Sequence, residues 1–432
     1  MNDKLLDKNA RMINGPVNII RLEGSIHGVN KVIYLFMDYH ISIGSQTQCE
    51  NIFSEDVQKY FANSFYELND SDRKYDFFLE IYPTEIAKNI YKKKSREVDR
   101  RDIYIEEVVK MFKKLFRFDL KENRVLSNNF IKNIRLHYLD VRDYYETNIK
   151  SLAEMAYDIA REFMRDDYIT VSGLENIIDY VEEISDHFKY ITSILELEPV
   201  KKSPAKNSSA KKSSEKKSSS SKLIRPKNFE LLDSKTVENI AKKLKSSYKY
   251  PDVQRIMNQL LKLTIANFKT SIKNIDENIK VFDQYIEKLR KSQNYLVKDP
   301  NSTYLYSYGL SNYTLRNIIT DVVNRTDYLM VEQVTEFLAR FTDIFFLRRF
   351  LDKDYITNAI TYSGAMHSNT YIYYLIKYFG FKITHASYSK ITDKNKLTSE
   401  IKSRNLMEIQ ELTLPRELGQ CSSMHGFPKE FL

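Results

Sequence analysis

The stretch YSGAMHSNTYIYYLIKYFGFKI, residues 362–383, decides the fold. It reads as the end of a strand, a glycine turn, a histidine, a helix, a second glycine and a new strand. The flanking strands read as 355–364 (YITNAITYSG) and 381–389 (FKITHASYS). The helix reads as 368–380, with Ser368 or Asn369 as its cap and Gly380 as its C-terminal stop. A strand–helix–strand unit of this kind is α/β grammar. His367 sits where a buried strand gives way to a helix. Packing alone does not ask for it, so the question is whether the rest of the chain supplies partners.

The N-terminal part repeats the grammar. Residues 17–43 (VNIIRLEGSIHGVNKVIYLFMDYHISI) hold two apolar runs around a Gly/His turn region, the mark of a hairpin. KVIYLF is continuously apolar, as in a strand buried on both faces. SEDVQKYFANSFYEL (54–68) has helical spacing with Ser54 as its N-cap, and KYDFFLEIYP (74–83) is the next buried strand. Residues 84–132 are basic and mostly helical in pattern. NIRLHYLDVRDYYE (133–146) reads as a third strand ending near Asp140.

These readings predict an α/β fold, a mostly parallel sheet assembled from both chain ends, with a large helical insertion. The expected parts are a flexible N-terminus (1–16) and the N-terminal part of the α/β domain (17–146). A helical segment (147–200) and a disordered Lys/Ser-rich linker (201–227) follow. A helical insertion with a long amphipathic helix (228–352) leads to the C-terminal part of the α/β domain (353–432), whose last residues, 414–432, read as an irregular tail.

The net charge of +9 invites a nucleic-acid reading. The segment 201–222 (KKSPAKNSSAKKSSEKKSSSSK) accounts for +7 of it through eight Lys and one Glu, leaving +2 for the remainder. Weak nucleic-acid contact through Lys201–Lys222 is one use of such a tract, and a solvated flexible loop is the plainer one. Met257, Leu261, Ile265, Phe268, Ile272, Ile275, Ile279, Phe282, Ile286 and Leu289 follow steps of three and four, a coiled-coil-like seam across 257–289. That seam needs a partner, either another helix of the chain or a second copy. Residues 327–351 form a further, buried helical block.

Cys49 and Cys421 are the two cysteines, which is no disulfide framework and points to a reducing compartment. The polar N-terminus does not read as a signal peptide. No apolar run approaches the roughly 18 residues of a membrane span. The expectation is an intracellular protein that is not secreted.

Ligand sites in parallel sheets lie beyond the carboxyl ends of the strands. Asp38 and His40, Glu80, Asp140 and Arg142, and Gly364 with His367 all fall there. Two chemistries suit that set. Neutral imidazoles and a carboxylate (His40, Glu80 and His367) could hold a divalent metal that activates water. Alternatively, a histidine acts as general base, a carboxylate orients it, and Arg142 steadies the oxyanion. The adjoining helix N-terminus is expected to lower the pKa of His367 and favour its neutral form.

GAMH (Gly364 to His367) followed by a helix, MDYH (Met37 to His40) after the first core strand, and DFFLE ending at Glu80 resemble the TraB/TIKI and erythromycin-esterase/ChaN group of α/β proteins. Met37 stands where that group has Gly, and Asp38 where its esterase branch has Glu. The resemblance covers about residues 17–82 and 355–390 and implies a hydrolase, esterase-like or metalloprotease-like. The Tyr/Asn/Lys-rich flavour, with HYLDVRDYY and GAMHSNTYIYYL, is also similar to proteins of large DNA viruses that infect amoebae. The alternative to a hydrolase is a catalytically inactive descendant of the fold that serves as a viral interaction or structural protein.

Overall fold

A computed structural model describes residues 7–40, 49–80, 103–119, 124–126, 130–141, 147–196, 234–298 and 304–428. The chain forms two compact units, Met1–Asp143 with Thr342–Leu432, and Tyr144–Phe341.

The first unit is built on a six-stranded sheet. Its strands lie in the order Lys382–Ala386, Asn18–Ile26, Val29–Asp38, Asn358–Gly364, Tyr75–Leu79 and Ile134–Tyr138. The last four are mutually parallel, and the first two pair antiparallel. The strand from the far end of the chain thus slots between two N-terminal ones, with Gly364 opposite Asp38 and Tyr362 opposite Leu79. This is the mostly parallel α/β sheet expected from the two chain ends. The hairpin of Asn18–Ile26 and Val29–Asp38 turns on His27 and Gly28, whose φ values of 50° and 77° are those of a two-residue turn twisting with the strands. Gly28 adopts its positive φ without a Cβ clash.

Alternation along each strand sends neighbours to opposite faces. On one face Phe61 of the helix Val57–Glu67 packs edge-on against Phe36 and Phe77, with ring centroids 4.9 and 5.0 Å apart. Phe112 of the helix Tyr104–Leu115 closes on Phe77 at 4.6 Å. On the other face Phe78 meets Phe346 of the helix Thr335–Asp352 at 5.0 Å, and Phe346 meets Tyr371 of the helix Ala365–Phe379 at 4.3 Å. Coverage on both faces explains why KVIYLF and DFFL read as unbroken apolar runs.

Several local expectations need correction. The helix Ala365–Phe379 has Gly364 as N-cap and no side-chain cap bond, so neither Ser368 nor Asn369 caps it. Both are fully buried inside the helix instead. Gly380 does end it, in a left-handed conformation with φ 70°. The helix Val57–Glu67 is preceded by Asp56 as N-cap, and Ser54 Oγ accepts from Asn14 Nδ2. Both chain ends are more ordered than expected. Met12–Asn14 pairs antiparallel with Cys421–Ser423 and parallel with Glu55–Asp56. Strands of two or three residues carry too little periodicity to be read. Cys49 and Cys421 form a disulfide across 372 residues, with Cα atoms 5.0 Å apart, where no disulfide was expected. Two isolated cysteines do not reveal that the fold brings them together.

The second unit is helical, with Thr147–Asp166, Val171–Glu196, Ser234–Ser246, Pro251–Lys291 and Asn312–Tyr328, plus an unexpected strand pair, Gln293–Lys298 with Tyr304–Tyr308. Its seam is covered inside the chain. Met257, Leu261, Ile265, Phe268, Ile275, Phe282, Ile286 and Leu289 are buried. Phe337 stacks on both Phe268 and Phe188, and Ser185 Oγ donates to Asp276 Oδ1 at 2.8 Å. The helix Val171–Glu196 is therefore the partner of the 257–289 seam. The tract Lys201–Lys222 lies outside the described residues. Among the described residues no helix is long and apolar enough to cross a membrane.

Candidate active site

The parallel register delivers the carboxyl ends of three strands to one place. Asp38 ends the strand Val29–Asp38, Gly364 ends its neighbour, and Glu80 follows Leu79 on the third. The Glu80 amide continues the ladder by donating to the Tyr362 carbonyl at 3.2 Å, which carries its side chain beside Gly364.

Glu80 is the hub. Its Oε2 accepts from the Gly364 amide at 2.7 Å. Its Oε1 lies 3.2 Å from His367 Nε2, and its Oε2 lies 3.9 Å from His40 Nε2. Each histidine is backed by its own aspartate. His40 Nδ1 meets Asp38 Oδ2 at 2.5 Å, and His367 Nδ1 meets Asp343 Oδ1 at 2.6 Å. Asp38 is held in turn by the Tyr362 hydroxyl, which donates to Oδ1 at 3.0 Å. Burial, then the Asp38 charge and that hydrogen bond, push the Tyr362 phenol far up, so it stays a donor. The two chain ends do therefore bring Asp38, His40, Glu80 and His367 together.

The two histidines differ in exposure. The His40 side chain is 44% exposed, whereas that of His367 is 7% exposed. Burial works to lower the His367 pKa. The charges of Glu80 and Asp343, and then their hydrogen bonds, outweigh it and raise the value to about 10. His367 is thus an imidazolium cation, contrary to the neutral form expected from the helix N-terminus. Two carboxylates in contact outweigh a helix dipole, which is worth up to about 2 kcal/mol in favourable geometry. For His40, burial also lowers the pKa, but the Asp38 hydrogen bond and the charges of Glu80 and Asp38 raise it on balance.

Asp343 escaped the sequence reading. It sits in the helix Thr335–Asp352 within TDIFFL, and an acid in a buried helical run is the signal that marks it. Tyr371, also unforeseen, lies one helical turn beyond His367. Burial and then the charges of Asp343 and Glu80 raise its phenol pKa well above 10. Asp140 is 2% exposed, and its charge contributes to the same field. Arg142 lies outside the described residues. Among the described residues no three His, Cys, Asp or Glu side chains are placed to hold a metal ion. His137 belongs elsewhere, bound through Nε2 to Asp76 at 2.6 Å.

Gly364 keeps the centre open. A Cβ built there would stand 3.5 Å from both Glu80 Oε2 and His40 Nε2. Met37, in the position of the expected glycine, is completely buried, and its neighbour Phe36 faces the Phe61 side of the sheet. Alternation turns the Met37 side chain to the opposite face.

Comparison with known proteins places the chain among viral relatives. It is 58% identical to "Uncharacterized protein R706" of Acanthamoeba polyphaga mimivirus over 99% of both chains. It is 38% identical to that virus's "Uncharacterized protein R161" and 36% to its "Uncharacterized protein R160", again over 99% of each chain. The expected kinship with proteins of large amoeba-infecting viruses is thus borne out. The resemblance to the TraB/TIKI and erythromycin-esterase/ChaN group gains no support from these relatives, and no solved structure matches the chain. Residues 11–432 match the model of DUF5847, a family of unknown function, and the chain belongs to that family.

Proposed function

We propose that the protein is a hydrolase in which His40 activates water at the carboxyl end of the sheet. The observation that carries this reading is the placement of His40. Its Nδ1 is anchored on Asp38, while its Nε2 faces Glu80 Oε2 across 3.9 Å. That gap is too long for a direct hydrogen bond and suits one water hydrogen-bonded to both groups. In the neutral ring, Nδ1–H donates to Asp38 and Nε2 is the base.

Nε2 takes a proton from the water, the hydroxide adds to an acyl carbonyl, and the same proton passes to the leaving group as the tetrahedral intermediate collapses. Glu80 orients the water. The buried His367 cation and the Gly364 amide fix Glu80 in turn. The helix Ala365–Phe379 begins at this point with no side-chain cap, so its first-turn amides are the donors suited to a developing oxyanion.

The test is an assay of esters, peptides and phosphoesters with wild type and His40→Ala, with and without added divalent metals. His40 is exposed, so its loss leaves the core intact, and acyl hydrolysis is expected to fall by about 10²- to 10⁴-fold. Activity restored only by added metal would assign water activation to a metal ion. Equal background rates for both proteins would support the non-catalytic, interaction-protein reading instead.

A further inference from the structure

The loop that carries His40 is braced from outside the sheet. Gln420 is completely buried, and its Nε2 donates to the carbonyl of Tyr39 at 2.9 Å, between Asp38 and His40. The Gln420 carbonyl accepts from Gly15 at 3.0 Å. The next residue, Cys421, pairs with Asn14 in the short antiparallel strand and is bonded to Cys49. The Cys49 amide donates to Asn14 Oδ1 at 2.9 Å, so the disulfide, Asn14 and Gln420 form one assembly. Both cysteines are only half-buried.

We propose that Gln420 is a positioning residue for His40, and that the Cys49–Cys421 disulfide makes its hold sensitive to redox state. With the bond closed, the C-terminal strand is tied to the segment before the helix Val57–Glu67, and Gln420 stays against Tyr39. A dithiol such as dithiothreitol supplies two electrons and two protons. The Cys49–Cys421 bond breaks to two thiols, and the reagent closes to its own cyclic disulfide. The strand of three residues then keeps its ladder and the hydrogen bonds of Ser422 and Ser423, and the hold of Gln420 on the Tyr39 carbonyl loosens. This inference stands apart from the hydrolase reading, because it concerns where His40 is held and not what it does.

The experiment is segment-resolved hydrogen exchange on the full chain, with thiol counting in denaturant. No labelled thiol is expected before reduction and two after it. Exchange at 36–40 is expected to rise by about tenfold on reduction, the factor for loss of one hydrogen bond, while 358–364 is unchanged. Gln420→Ala is expected to give the same local change with the disulfide intact. The Cys49→Ser/Cys421→Ser variant supplies the open state if reduction is slow. Two free thiols before reduction would overturn the proposal. So would unchanged exchange at 36–40 in the reduced protein and in Gln420→Ala, or equal acceleration across the whole unit.

Discussion

Raising the pH from 6.5 to 8 is expected to destabilise the protein by about 2 kcal/mol, and His367 is the reason. Its pKa is raised from 6.5 to about 10, so across this interval the folded chain keeps a proton that the unfolded chain has lost. A raised histidine contributes stability that is full below the unfolded pKa and drains away as pH climbs toward the folded one. The slope is about 1.4 kcal/mol per pH unit. His40 shifts in the same direction, but its exposure screens the effect. The other shifted groups act outside the window. His137 and His187 are lowered, chiefly by burial, so their contribution changes below 6.5. Burial lowers Lys31 to about 8, and above that pH it contributes with the opposite sign. Urea unfolding followed by circular dichroism through the window measures the slope. Asp343→Asn removes one of the two charges that raise His367 and is expected to flatten it. A flat wild-type profile, or the same slope in the variant, would refute the reasoning. Titration of the His367 ring by NMR in wild type gives the same answer if the variant is too unstable.

Three further outcomes follow from the same geometry. Gly364→Ala is expected to fold normally, since φ −51° suits any residue, yet to lose about 10²-fold or more in hydrolysis by filling the space between Glu80 and His40; kcat/KM beside a thermal melt separates the two effects. The acid limb of the pH–rate profile is expected to have its midpoint above 6.5, because His40 must be neutral to act and its pKa is raised. Asp38→Asn is expected to move that midpoint down, since the Asp38 hydrogen bond is the largest upward contribution. Gly24→Ala is expected to cost about 1–3 kcal/mol in urea unfolding, because its Cβ would stand within 2.5 Å of the Phe381 ring.

The sheet was legible because its strands are buried on both faces. KVIYLF and DFFLE announce themselves as apolar runs, and the polar residues that end them mark the carboxyl edge. Asp38, His40, Glu80 and His367 are all legible at that edge. Asp343 was not legible as a partner, because it lies 24 residues before His367 on a separate helix packed on the same face of the sheet, and contact of that kind leaves no periodic trace. The charge of His367 was misjudged for the same reason, since the dipole of its own helix is local in sequence and the decisive carboxylates are not. The disulfide and the short three-stranded sheet depend on both chain ends meeting, which two cysteines and a few extended residues cannot reveal.

In the proposed hydrolase His40 and Glu80 act on one water. The most direct test is a double-mutant cycle in kcat/KM with His40→Ala, Glu80→Gln and the pair. The double variant is expected to lose no more than the worse single variant, because either change already removes the shared water. Losses that multiply, or a Glu80→Gln enzyme as active as wild type, would contradict it.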